Sequence, residues 1–176
     1  MVESSASPTG FANYCSYVDL RYLPRLAALV ESIRKFDRKS RIYVLCLDAH
    51  TLEQCDRALG ENVTPLSLDE LEEAFPELQT VKANRTAMEY VFTITPYLIK
   101  WVMGKSENGA PSIYLDADLY FFESPAGVLE DLGTSEIGII PHSYHPNIAQ
   151  FLRKYGLYNV GWVGVRNSQA GRQCLD

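Results

Sequence analysis

Two aspartates one residue apart, Asp116 and Asp118, interrupt the otherwise apolar and aromatic run PSIYLDADLYFF at positions 111–122. Residues i and i+2 of an extended chain face the same side, so the two carboxylates point together if the strand continues through them. Adjacent carboxylates repel, and one retains its proton unless a cation relieves the charge. No Lys or Arg occurs between Lys105 and Arg153, whereas Glu107, Glu123, Glu130, Asp131 and Glu136 add to the acidity. A hard divalent cation, magnesium or manganese, is the natural partner of such an oxygen pair. The competing reading is a solvated turn after a strand. The buried run SIYL before the pair and the aromatic run LYFF after it favour the metal.

The pair must be presented by the elements around it. FANYC reads as a short strand, and Leu20, Leu23, Ala27, Val30 and Ile33 then recur at helical spacing, with Pro24 suited to a first turn. RIYVLCLD is a buried strand. TLEQCDRAL is a helix capped by Thr51, and NVTPLSL is a strand placed at a sheet edge by Pro65. LDELEEAF predicts a short acidic helix. Ala83 to Met103 predicts a longer one with a break near Pro96, leading into SIYLD. EIGIIP, PNIAQFLRKYG and YNVGWVGVRN predict strand, helix and strand, with no helix after the last of these. Strands alternating with helices predict an α/β layered fold with a mainly parallel sheet. Ligands of such sheets gather beyond the carboxyl ends of the strands, where Asp116 stands.

The 176 residues suit one domain, with residues 1–10 expected as a loose tail and 11–176 as the folded unit. A net charge of -6 argues against a general nucleic-acid binder. The amino terminus lacks the basic and apolar blocks of a signal peptide, and YVFTITPYLIKWVM is shorter than the roughly 20 residues of a membrane span. Cys15, Cys46, Cys55 and Cys174 form no C-x-x-C pair and are read as reduced thiols, which points to the cytoplasm.

Taken in order, these segments resemble the GT-A glycosyltransferases that use nucleotide-sugar donors, within them the group around glycosyltransferase family 8. FANYC with its amphipathic helix is similar to the first strand and nucleotide-binding turn. RIYVLCLD is similar to the second strand, and TITPYLIKWVM into SIYLDADLYFF to the helix and strand ending in the D-x-D. YNVGWVGVRN is similar to the asparagine, small residue, glycine strand beside the donor sugar. The resemblance covers about residues 10 to 168. It implies a Rossmann-like nucleotide-binding half and a manganese or magnesium ion held by Asp116 and Asp118 on the donor diphosphate. It further implies Asn159 near the sugar, and Asn13, Tyr14 and Cys15 near the base of a UDP-sugar; as residues, Tyr14 and Tyr17 are candidates to stack on that base or ordinary packing residues. The acceptor is an unknown glycan, lipid or protein, and no catalytic nucleophile or base is identified.

The family usually has an arginine in the helix before the D-x-D strand, where this chain has TPYL; Lys82 or Arg85 is offered to the diphosphate instead. As ordinary surface charges, Arg85 would pair with Glu89 at i, i+4. Asp48 either contacts a ribose or caps the helix that follows. Gly161 and Gly164 allow close approach of a ligand or close packing, and His142 follows a strand end on the ligand side. The later acidic, amide and histidine residues of the family lie beyond this sequence, so its acceptor-binding part is expected to be missing. Three alternatives stand beside this reading. A haloacid-dehalogenase-type phosphatase would begin its D-x-D at the first strand. A sugar nucleotidyltransferase would carry a glycine-rich signature near FANYCSYVDL. A non-catalytic nucleotide-sugar-binding fragment would bind without turnover.

Overall fold

The computed structural model describes residues 12–145, 147 and 151–176. The tail expected over 1–10 and part of the helix expected over PNIAQFLRKYG lie outside the described residues. Strands β1 (Asn13–Val18), β2 (Arg41–Cys46), β3 (Val63–Ser67), β4 (Pro111–Leu115), β5 (Ile137–Pro141) and β6 (Tyr158–Arg166) form one sheet in the order β3-β2-β1-β4-β6-β5. The first four run parallel, and β6 is antiparallel to both β4 and β5. Their carboxyl ends, at Val18, Cys46, Ser67 and Leu115, therefore share one edge of the sheet with the amino end of β6. Pro65 sits in the edge strand β3, where its missing N–H costs least.

Helices cover both faces. Helix α1 (Leu23–Phe36) buries Leu26, Leu29, Val30 and Ile33 along one stripe, with Pro24 in its first turn and Arg34 and Lys35 in its last. Together with α2 (Ala49–Leu59) it closes the core formed by Tyr14, Val18, Val44, Ile113 and Leu115. On the opposite face, α3 (Leu68–Ala74), α4 (Glu77–Lys82) and α5 (Ala87–Lys105) cover Cys15, Leu45 and Tyr114. Short helices α6 (Ala126–Leu132), α7 (Phe151–Tyr155) and α8 (Gln169–Gln173) complete the order.

Local details correct several expectations. The helix expected from Ala83 starts at Ala87, because Thr86 and Glu89 form a reciprocal capping box. Pro96 does not end it; the helix runs unbroken through residue 105, with Tyr90, Ile94, Leu98 and Val102 buried on one side. The cap of α2 is Asp48 rather than Thr51, whose N–H and hydroxyl both donate to the Asp48 carboxylate at 2.8 and 2.6 Å. A helix does follow the last strand: α8 begins at a Ser168 cap.

The carboxyl end of α5 is tied to the end of β6 by Asn167, which is buried. Its amide Nδ2 donates to the carbonyls of Met103, Ser106 and Glu107 at 2.8, 3.0 and 3.2 Å, while Arg172 donates to its Oδ1 at 2.7 Å. One side chain thus satisfies carbonyls that a helix end leaves without partners. Asn167→Ala is expected to lower stability by about 3 kcal/mol, seen as a lower urea midpoint with an unchanged slope.

Candidate functional site at the carboxyl edge of the sheet

The strand order places β2 on one side of β1 and β4 on the other, and a crevice opens at such a reversal beyond the strand ends. Asp116 stands at that point. Its N–H donates to the Gly161 carbonyl at 2.9 Å, and its own carbonyl accepts from Leu119 N at 3.1 Å. The chain therefore turns through Ala117 and Asp118 instead of staying extended, and the two carboxylates are brought near each other by a turn rather than by strand alternation. Asp116 is half-buried and Asp118 exposed.

Behind Asp116 lies a stack of phenols. Tyr114, two residues earlier on the same face, donates its hydroxyl to Asp116 Oδ1 at 2.8 Å. Its ring packs against Tyr17 with centroids 5.5 Å apart. Burial raises the Asp116 carboxyl above the usual aspartate range; the Tyr114 hydrogen bond opposes this, and the Asp118 charge adds to it. Burial also pushes the Tyr114 phenol far above its ordinary value, so it remains a donor.

The second arm of the site comes from β6. Between Ile139 and Ile140 the pairing with β6 slips, from Val163 to Asn159, so Val160, Gly161 and Trp162 bulge from the ladder. Bulges of this kind re-aim side chains. Here Asn159 folds back so that its Oδ1 accepts from Gly161 N at 2.7 Å. A Cβ built at Gly161 would lie 3.1 Å from Asn159 Oδ1 and 3.2 Å from Asp116 Oδ2. The absence of a side chain at Gly161 is what lets the carboxylate and the amide share one spot. Because Asn159 Oδ1 is engaged, its Nδ2 is left with two donors to offer. Leu119, Phe121, Ile140 and Trp162 line, with Asn159 and Gly161, an adjoining depression of about 240 Å³. Gly164 serves packing instead, since a Cβ there would meet the Trp162 ring at 2.7 Å.

The other residues singled out from the sequence fall elsewhere. Asn13, Tyr14 and Cys15 are buried at the amino end of β1, beside Ser112, Ile113 and Tyr114, and stop short of the edge where Asp116 stands. The side chain of Tyr14 is in the core facing α1, that of Cys15 in the core facing α5. Tyr17, further along β1, does reach the site. Lys82 Nζ donates to Glu72 Oε1 at 2.6 Å, beside the Tyr90 hydroxyl that donates to the same oxygen at 2.8 Å. It is thereby fixed between α3, α4 and α5. Arg85 is exposed just before α5, and Glu89, its expected partner, bonds Thr86 instead. His142 does follow β5 on the ligand edge, with its ring stacked on Tyr144 at 4.5 Å. All four cysteines are free.

Sequence reasoning missed Tyr114, which in SIYL looks like any core aromatic, and the backbone link from Asp116 to Gly161. Among the described residues no group of three His, Cys, Asp or Glu side chains converges as a metal cage. An open, two-carboxylate set still fits a magnesium- or manganese-type ion, because such ions keep several waters and take further oxygens from phosphates. The half-buried carboxylate, oriented by a phenol and set beside a second carboxylate, is the donor chemistry they require.

No family model matches the sequence. Two curated relatives are the uncharacterized proteins YfnD and YfnF of Bacillus subtilis (strain 168), 29% identical over 163 residues and 26% identical over 170 residues. Each match covers 93% of this chain but only 52% and 55% of the relatives, so the chain spans about half their length. Solved structures of similar shape include the bifunctional glycosyltransferase WbbM (TM-score 0.59, 15% identity, 97% of this chain and 34% of that one). Mouse xyloside xylosyltransferase 1 has TM-score 0.59, 12% identity, and coverage of 94% and 71%. The galactosyltransferase LgtC with donor and acceptor sugar analogs has TM-score 0.58, 16% identity, and coverage of 91% and 59%. The described chain, a six-stranded mostly parallel sheet flanked by helices, has the α/β fold of the GT-A glycosyltransferases.

Proposed function

We propose that this chain is the donor-binding part of a metal-dependent glycosyltransferase, taking a sugar from a nucleoside diphosphate sugar, with UDP as the nucleotide. The observation that carries this reading is the convergence of Asp116 Oδ2 and Asn159 Oδ1 on Gly161, with Asp118 alongside, at the carboxyl edge of the sheet. Asp116 and Asp118 would hold manganese or magnesium, and Tyr114 would orient the Asp116 carboxylate from behind. When bound, the ion supplies Lewis-acid neutralisation of charge on a leaving diphosphate. Asn159, through Nδ2, donates to a sugar hydroxyl. The base is held at the carboxyl end of β1, from Tyr17 onward, rather than by Asn13 to Cys15, which lie too far down the strand. Transfer to a glycan, lipid or protein acceptor is proposed for the full length of the relatives.

Calorimetric titration of UDP in manganese, repeated with chelator, tests the reading. Saturable binding that chelator removes is the expected outcome. Binding indifferent to chelator, or none in either condition, would sink it.

A further inference from the structure

The depression of about 240 Å³ beside the carboxylates has walls that the donor-site reading leaves unused. It shares Asn159 and Gly161 with that site, and one wall begins at Leu119, the residue after Asp118. Phe121 and Trp162 continue the lining, with Ile140 of β5 and Val128 of α6 beside them. Trp162 is buried, whereas Val128 and Ile140 are 38% and 44% exposed, so apolar surface stands open next to the place where a diphosphate would be held.

The side-chain oxygens of this lining are already engaged. Asn159 Oδ1 accepts from Gly161 N at 2.7 Å, and the Tyr120 hydroxyl accepts from Lys35 Nζ. What Asn159 still offers is the pair of donors on Nδ2. A sugar hydroxyl turned into such walls would give up water on its donor side without a replacement, which costs free energy. A group that only accepts, and that ends in a methyl, loses nothing there. An acetamido substituent is such a group, with its carbonyl for the amide, its methyl for the walls and its own N–H left to water on the open side.

We infer that the depression takes the acetamido group of an N-acetylated amino sugar carried by the donor, its methyl against Leu119, Ile140 and Trp162 and its carbonyl accepting from Asn159 Nδ2. The two hydrogens of Nδ2 allow a sugar hydroxyl and this carbonyl to be bound at once. This rests on the donor-site reading and narrows its sugar to one chemical class, with Ile140 as a residue that sets the choice.

Calorimetry in manganese with UDP, UDP-glucose, UDP-6-deoxyglucose and UDP-N-acetylglucosamine tests it. UDP-N-acetylglucosamine is expected to bind about 10-fold more tightly than UDP-glucose, the combined effect of one buried methyl and one neutral hydrogen bond. UDP-6-deoxyglucose, with a methyl but no carbonyl, should bind more weakly than UDP-N-acetylglucosamine. Ile140→Thr keeps a β-branched residue at an exposed strand position, so the melting temperature should hold, while the preference falls to about 3-fold. Equal affinity for UDP-glucose and UDP-N-acetylglucosamine, with UDP itself bound, would overturn the inference and leave the donor site standing. Tighter binding of UDP-6-deoxyglucose than of UDP-N-acetylglucosamine would also overturn it, as would a preference that Ile140→Thr leaves at full size. Failure of UDP itself to bind would remove both readings together.

Discussion

Replacing Asp116 and Asp118 together by alanine is expected to remove manganese-dependent UDP binding, with affinity falling by more than about 100-fold, since outer partners of metal ligands alone are worth roughly 10- to 100-fold. Titration calorimetry reads this directly. Retained manganese-dependent binding would detach the site from these residues. The single change Asp116→Asn separates binding from folding. Burial raises the Asp116 carboxyl, with the Asp118 charge adding to the effect of burial against the Tyr114 hydrogen bond. The folded protein therefore holds this proton more tightly than the unfolded chain does. Ionising Asp116 costs stability above the raised value, and the cost vanishes as pH falls below the unfolded value of about 4. Asparagine accepts the same hydrogen bond from Tyr114 without the charge. Asp116→Asn should then melt higher than the parent at pH 7, with the gap closing toward about pH 4, while metal-dependent binding is lost. In the parent, binding should strengthen as pH rises through the raised value. A variant no more stable at neutral pH would show that the carboxylate is not under this tension.

Gly164→Val should be strongly damaging to packing. Gly138 and Gly164 are opposite each other across β5 and β6, and the Trp162 indole lies over both. A Cβ at Gly164 would come within 2.7 Å of the ring, and one at Gly138 within 3.0 Å of the ring and 2.9 Å of Leu132. The indole is buried and neighbours Gly161, so the space open to it is the depression beside Asn159, and moving there would disturb the bulge that aims that side chain. Overpacking of a filled core costs about 3 kcal/mol at the upper end of its usual range. The loss is expected in urea unfolding, together with a red-shifted Trp162 emission. A midpoint within experimental error of the parent would show that the indole has a second position.

Much of this arrangement is visible in the sequence, for identifiable reasons. The strands around Tyr43, Ile113 and Val163 are runs of β-forming apolar residues, and the aspartates stand out because charge inside such a run demands an explanation. The capping box at Thr86 and Glu89 is also written locally. What escapes are contacts set by tertiary structure. Nothing in YNVGWVGVRN shows that it runs antiparallel, that it bulges, or that Gly161 will bond Asp116, 45 residues earlier. Helix α8 contains Gly171, a poor helix former, yet a Cβ there would lie 2.1 Å from the Arg166 carbonyl, so the position excludes any other residue. Thr51 and Asp48 are both good caps one turn apart, and only the fold chooses between them.

The insertion of β6 between β4 and β5 also sets the order in which the molecule is completed during translation. Residues through Asp116 can form four parallel strands as they leave the ribosome, and Asn159 follows 43 residues later. At about 5–20 residues per second, the carboxylate pair waits roughly 2–9 s for its amide partner. Throughout that interval β4 is an edge with open hydrogen-bonding groups, and β5, which is made partway through it, has no strand to pair with until β6 arrives. The arrival of β6 therefore closes the β4 edge, gives β5 its partner and brings Asn159 to the carboxylates.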